Sequence, residues 1–319
     1  MKRLLIAMML SGLACSTVWA GGPGTTSANF LKAGQGVRPV AMGETYIALG
    51  NGLDTLHWNP AGLVQMDSPT ASFNHAFWFQ DISTEYLAYG TPLGPAGALG
   101  AGVTVLHTTG VEELEDEYGN YAGSGEEFSV MNLAFVGGYA QKVSRIFPTQ
   151  DPFTQNLLVG ASLRVVSESL SDTNIMGGAL DVGAIWRETE EVAAGAAPGE
   201  TVERDRGFRA GVVAQNLGVS SESTLPINFR AGAGYVARNV FSPAGRGTLA
   251  ADVLVPIDND VKISLGAEYA HISPNTEFAA RVGYKIGSEI QDLDSLAGLT
   301  AGAGFGILAG AIRYQLDYA

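Results

Sequence analysis

Apolar and polar positions alternate with a period of two along most of the chain after residue 67, the spacing of strands whose faces meet different surroundings. Residues 276–286 show it most clearly. Phe278, Ala280, Val282, Tyr284 and Ile286 share one face, and Glu277, Ala279, Arg281, Gly283 and Lys285 the other. Val261, Ile263, Leu265, Ala267 and Tyr269 repeat the pattern against Lys262, Ser264, Gly266 and Glu268. The same alternation predicts strands at 68–80, 82–91, 96–107, 128–142, 155–167, 174–187, 207–217, 226–238, 246–255, 260–271, 276–287, 297–306 and 308–317. Residues 143–154 and 188–206 read as long connections. Tyr235, Tyr269, Tyr284 and Tyr314 fall near strand ends, where an interfacial girdle would hold them. A strand of this kind, apolar on one side and polar or small on the other, suits either a membrane barrel or a soluble sandwich.

Composition narrows the choice. Charged residues make up 16% of the chain, glycine accounts for 42 of 319 residues and mean hydropathy is +0.14, yet no run of about 18 apolar residues follows the first twenty. That combination fits a membrane β-barrel better than a helical membrane protein. The start of the chain reads as an export signal: Lys2 and Arg3, an apolar stretch from Leu4 to Leu13, and a cleavage site at Val18-Trp19-Ala20. Cys15 raises a lipidated N-terminus as a rival, but Gly12 stands where a lipoprotein signal favours leucine. Cys15 is the only cysteine, so residues 21–319 hold no disulfide, thiolate ligand or cysteine nucleophile. Losing Lys2 and Arg3 moves the formal charge from −14 to −16, which argues against nucleic acid as a partner. Glu112, Glu113, Glu115, Asp116, Glu117, Glu126 and Glu127 cluster between two strands and mark an exposed acidic loop.

Residues 30–66 break the pattern. Glycines at 34, 36, 43, 50, 52 and 62, with Pro39 and Pro60, interrupt every long element, while Phe30, Leu31, Met42, Tyr46, Ile47 and Trp58 are too apolar for a solvated linker. Such a segment needs walls around it. It resembles the N-terminal signature of the PorV/PorQ family of outer-membrane barrels: Phe30-Leu31, the glycine-rich turn from Gly36 through Pro39 to Met42-Gly43, and Trp58-Asn59-Pro60-Ala61-Gly62-Leu63. The Asn59-Pro60-Ala61-Gly62 core is also similar to the wider FadL-like group. Gln215-Asn216-Leu217-Gly218, Gly266-Ala267-Glu268-Tyr269 and Arg281-Val282-Gly283-Tyr284 add landmarks in the same order.

The resemblance implies an all-β transmembrane antiparallel barrel of about 14 strands. It comprises a signal peptide at 1–20, a lumenal plug at 21–67 and a barrel at 68–319. Thirteen strands were counted above, and family members continue past a motif like Leu316-Asp317-Tyr318-Ala319 into one more, so the barrel is expected to lack its last strand. The implied location is the outer membrane, with its lipid as partner. Two functions follow from it: an accessory of type IX-like secretion or surface attachment that receives C-terminal signal domains of secreted proteins, and FadL-like passage of hydrophobic solutes.

Residues that could carry chemistry are few. The four histidines, His57, His75, His107 and His271, sit in no H-E-x-x-H, and the chain has neither G-x-S-x-G nor a P-loop, so no enzyme is expected. His57 is expected to order the plug turn through a backbone hydrogen bond. Ser288, Asp292 and Asp294 lack the glycine-centred spacing of a calcium loop, and no metal or cofactor is expected. Gly232-x-Gly234 and Gly302-x-Gly304-x-Gly306 lie within strands and read as places of close approach. Within the plug, Arg38, Met42, Gly43, Glu44, Trp58, Asn59 and Pro60 are the candidate lumen residues. Arg38 and Glu44 need charge partners if enclosed, and Arg230, Glu268, Arg281 and Lys285 on the lumen face can supply them.

Overall fold

A computed structural model describes residues 24–78, 82–112, 127–170, 173–193, 201–287 and 296–319. The expected leader, the body of the acidic cluster, and Ser288, Asp292 and Asp294 lie outside the described residues. The chain forms strands β1 (Thr70–Phe77), β2 (Ser83–Pro92), β3 (Ala98–Glu112), β4 (Glu127–Lys142), β5 (Leu157–Leu170), β6 (Thr173–Ala193) and β7 (Thr201–Ser220). They continue as β8 (Asn228–Arg238), β9 (Gly245–Pro256), β10 (Lys262–Ile272), β11 (Thr276–Ile286), β12 (Leu299–Ala309) and β13 (Ile312–Tyr318). Each pairs antiparallel with its successor, giving one sheet in the order β1 to β13. Among the described residues no helix is long and apolar enough to cross a membrane.

Alternation in sequence becomes alternation in burial. In β8, Phe229 and Tyr235 are exposed while Arg230, Gly232, Gly234 and Val236 are buried. Phe135, Leu163, Val212, Leu249, Leu265, Phe278 and Phe305 continue the apolar outer face around the sheet. A surface this apolar matches the lipid-facing band of an outer-membrane barrel.

Two sequence boundaries shift. Residues 188–206, read as a connection, mostly extend the β6–β7 ladder, which pairs from Thr189↔Asp205 to Ala193↔Thr201 beyond an irregularity at Arg187. Polar residues follow one another there with little apolar content, so the period-two contrast that marks membrane strands does not mark this extension. Residues 143–154 contain the short helix Val143–Ile146 and the start of Pro152–Gln155, whose first turn is capped by the Asp151 carboxylate accepting from Thr154 N at 2.9 Å.

Because neighbours run antiparallel, β1 and β13 point the same way. The mouth at which β1 begins, here the near mouth, holds the β2–β3 and β4–β5 connections; the far mouth holds those of β7–β8 and β9–β10. Residues 26–66 start at the far mouth, where Ser27 N donates to Thr224 O at 3.2 Å, and end at the near mouth, where Met66 leads into β1. Their apolar side chains fall into separate clusters. Phe30 and Leu31 pack with Ala134, Val166, Ala179 and Leu225; Met42, Tyr46, Ile47, Leu49 and Trp58 with Val213, Val236 and Ala250; Leu53, Leu56, Leu63 and Met66 with Tyr86, Ala88, Ala98, Val136 and Ala140.

Candidate functional site: the N-terminal segment against the inner wall

The wall meets this segment through missing side chains. A Cβ added at Gly160 would stand 2.5 Å from Ala61 N, at Gly138 2.7 Å from the Leu56 side chain, at Gly234 2.7 Å from Leu49, and at Gly302 2.6 Å from Ala41 Cβ. At Gly183, Gly211, Gly266 and Gly283 the collisions are tighter still, with Asn59 Oδ1, Ile47 O, Thr45 Oγ1 and Gly43 N. These positions lie side by side across the sheet: Gly90 faces Gly100 and Gly100 faces Gly138, while Gly160 pairs with Gly183, Gly211 with Gly232, and Gly266 with Gly283. Every strand from β2 to β12 except β9 presents such a glycine to residues 41–66, and β9 presents Asp252 instead. One segment touched by eleven successive strands on their inner face requires the sheet to curl around it.

Between these contacts, polar groups fix the segment. Asn59, fully buried, accepts from Ala61 N at 3.2 Å and donates to Ile47 O at 3.0 Å, with Ala184 O and Val212 O at 3.3 and 3.4 Å. Pro60 at the first position and the Asn59 cap start the 3-10 turn Pro60–Gln65. Trp58 Nε1 donates to Gln35 O at 2.7 Å, and the Arg230 guanidinium lies 4.7 Å above the Trp58 ring. Asp252 Oδ2 accepts from the backbone N–H groups of Tyr46 and Ile47 at 2.7 and 2.9 Å. Gln215 Nε2 donates to the carbonyls of His57 and Trp58 at 2.7 and 3.0 Å.

The charges of the segment pair with the wall. Arg38 donates from Nε and NH2 to the two oxygens of Glu268 at 2.8 and 2.9 Å; the same carboxylate accepts from Arg281 Nε at 2.8 Å, and Arg246 lies 3.5 Å away. Arg281 continues to Asp317 of β13 at 2.5 Å. Glu44 accepts from Lys285 at 3.1 Å and lies 4.0 Å from Arg230. Met42 and Trp58 are fully buried, and the Gly43-Glu44 turn has left-handed φ at both residues, 66° and 69°. Glycine is needed at 43 because β11 backbone stands against it; Glu44 keeps this unusual conformation while its carboxylate reaches Lys285.

Electrostatics reinforce the enclosure. Burial alone would lower the Arg38 guanidinium, but Glu268 and Tyr46 raise it overall. Burial pushes the Asp54 carboxyl up to about 7 against the opposing pull of Arg38, with Asp317 adding to the rise. Burial, then Arg164 and Arg230, hold His57 well below its ordinary value, so the imidazole is neutral. Its Nδ1 is buried without a hydrogen-bond partner, and its ring stands edge-on to Trp58 at 5.0 Å.

Sequence reading missed Asp252, Gln215 and the buried pair Arg164–Asp181 at 2.9 Å, whose carboxylate also accepts from Asn216 N at 2.6 Å. The available signal was a polar residue flanked by apolar ones on the glycine-bearing face of a strand, as in Ala-Asp252-Val and Leu-Asp181-Val. Among the described residues no group of three or more histidine, cysteine or carboxylate side chains is arranged to hold a metal ion.

No protein-family model matches the sequence, and no curated protein matches it. Among solved structures, the chain is similar to the crystal structure of the Pseudomonas putida toluene transporter TodX, at 13% identity over 89% of this chain and 91% of that one, with a TM-score of 0.50. The TodX deltaS2S3 mutant monoaromatic hydrocarbon channel gives 12% identity over 89% and 92%, also at 0.50. The likeness is one of fold. It makes the antiparallel sheet a β-barrel.

Proposed function

We propose that the chain is an outer-membrane barrel whose lumen is plugged by residues 21–67 and which passes hydrophobic small molecules. The observation that supports it is the packing of one non-repetitive segment against the inner face of eleven strands, on a fold shared with a toluene transporter. Apolar clusters along the segment offer surfaces on which such solutes partition, and a plug removes an open aqueous pore. Uptake of naphthalene by intact Gram-negative cells expressing the chain, compared with the empty vector, tests it; equal rates would overturn it.

A second reading, an accessory barrel that captures C-terminal signal domains of secreted proteins, is favoured by the ordered signature from Phe30 to Leu63. Its test is recovery of such domains on cells displaying the barrel. Capture without solute uptake would make this reading the correct one.

A further inference from the structure

Arg230 on β8 is enclosed by contacts that leave its N–H groups unused. Its side chain is 7% exposed, its guanidinium lies 4.7 Å above the Trp58 ring, and Glu44 Oε2 stands 4.0 Å from NH1, beyond hydrogen-bonding reach. Among the described residues it makes no hydrogen bond, and its Nε is buried without an acceptor. A guanidinium taken out of water in this way is costly, and an acceptor placed beside it removes the cost.

The same side chain lines a cavity of about 20 Å³ beside the Gly43-Glu44 turn, whose lining it shares with Glu44, Asp252, Lys262, Ser264 and Lys285. The ladders set these groups in two adjoining rows: Ser264 pairs with both Asp252 and Lys285, and Leu254 with both Arg230 and Lys262. Three cations therefore meet two carboxylates. Each carboxylate has another partner, since Glu44 Oε1 accepts from Lys285 at 3.1 Å and Asp252 Oδ2 accepts from the N–H groups of Tyr46 and Ile47 at 2.7 and 2.9 Å. The space admits one occupant of about the size of a water molecule, which excludes carboxylate and phosphate groups.

We propose that this cavity is a halide site, in which one chloride ion accepts from the Arg230 guanidinium, the Lys285 ammonium and the Ser264 hydroxyl. The ion supplies the acceptor that Arg230 lacks, and its charge offsets the excess of cations. Because Lys285 also holds Glu44, the bound ion ties the Gly43-Glu44 turn to β8, β10 and β11. The site stands apart from what the barrel passes or captures.

Two measurements test it. Crystals of the detergent-purified chain grown in sodium bromide, with data collected at the bromine edge, should show an anomalous peak among Arg230, Ser264 and Lys285. At constant ionic strength, replacing gluconate, which the cavity is too small to hold, by chloride should raise the unfolding temperature by about 3 °C and reach a plateau. Bromide should act as chloride does, and Arg230→Gln should abolish the difference. A peak at these residues together with the chloride-specific rise upholds the site. No peak there overturns it, and a peak without the rise means an adventitious ion only and overturns it too. An Arg230→Gln chain that folds and keeps the full rise also overturns it; if that variant does not fold, the peak and the rise in the unaltered chain decide.

Discussion

At the scale of single residues, the most consequential groups are polar atoms with several buried partners. Removing the Asn59 side chain leaves the Ala61 N–H without its acceptor and the Ile47 carbonyl without its best side-chain donor. Asn59→Ala should therefore cost about 1–3 kcal/mol, read as a lower temperature for conversion of the folded band in detergent gels. Glu268→Gln removes a charge that serves Arg38 and Arg281 together and should cost about 3 kcal/mol or more, because both guanidiniums stay enclosed. Arg313→Ala, whose partner Glu277 is reached from a half-exposed side chain, should cost below about 1 kcal/mol. Asp54 supplies a pH dependence. Its carboxyl titrates at about 7 in the folded chain, above the ordinary value, so the folded state holds a proton that the unfolded state has released. Its contribution is complete at acid pH and is lost as pH rises from about 4 to about 7. Asp54→Asn should flatten the fall in unfolding temperature over that window; an unchanged slope would exclude Asp54 as its source.

At the scale of elements, strand positions and faces were legible in the sequence because alternation is written by the chain itself. Spacing alone separated Phe278 and Val282 from Arg281 and Gly283, and the barrel reading then turned the first set outward and the second inward. Extents were less legible: β6 and β7 run on through polar residues where period-two contrast fades. Partners were not legible either. Arg38 and Glu44 announced a need for opposite charge, but nothing local tells that Glu268 takes the first and Lys285 the second, since that depends on how a non-repetitive segment folds back. Strand glycines such as Gly232, Gly234 and Gly302 were read as places of close approach, but what approaches each was not legible for the same reason. The structure makes the inward ones a matched set, and this can be tested by contrast. Gly283→Ala places a methyl against Gly43 N and should unseat the segment, seen as new proteolytic cleavage within residues 37–50, while Gly137→Ala, with open space at that Cβ, should leave the digest unchanged.

At the scale of the whole molecule, the wall and the segment divide the work of stability unevenly. The outer face is apolar, and the inner face carries much of the molecule's polarity in ion pairs and hydrogen bonds to the segment. Yet around its waist the wall has given up side chains almost strand by strand. An empty barrel of this sequence would therefore not close its lumen with residues of its own. Its bore would be ringed at the waist by bare peptide groups set between the side chains of Asp252, Glu268 and Arg281, so it is the enclosed segment that makes the passage narrow.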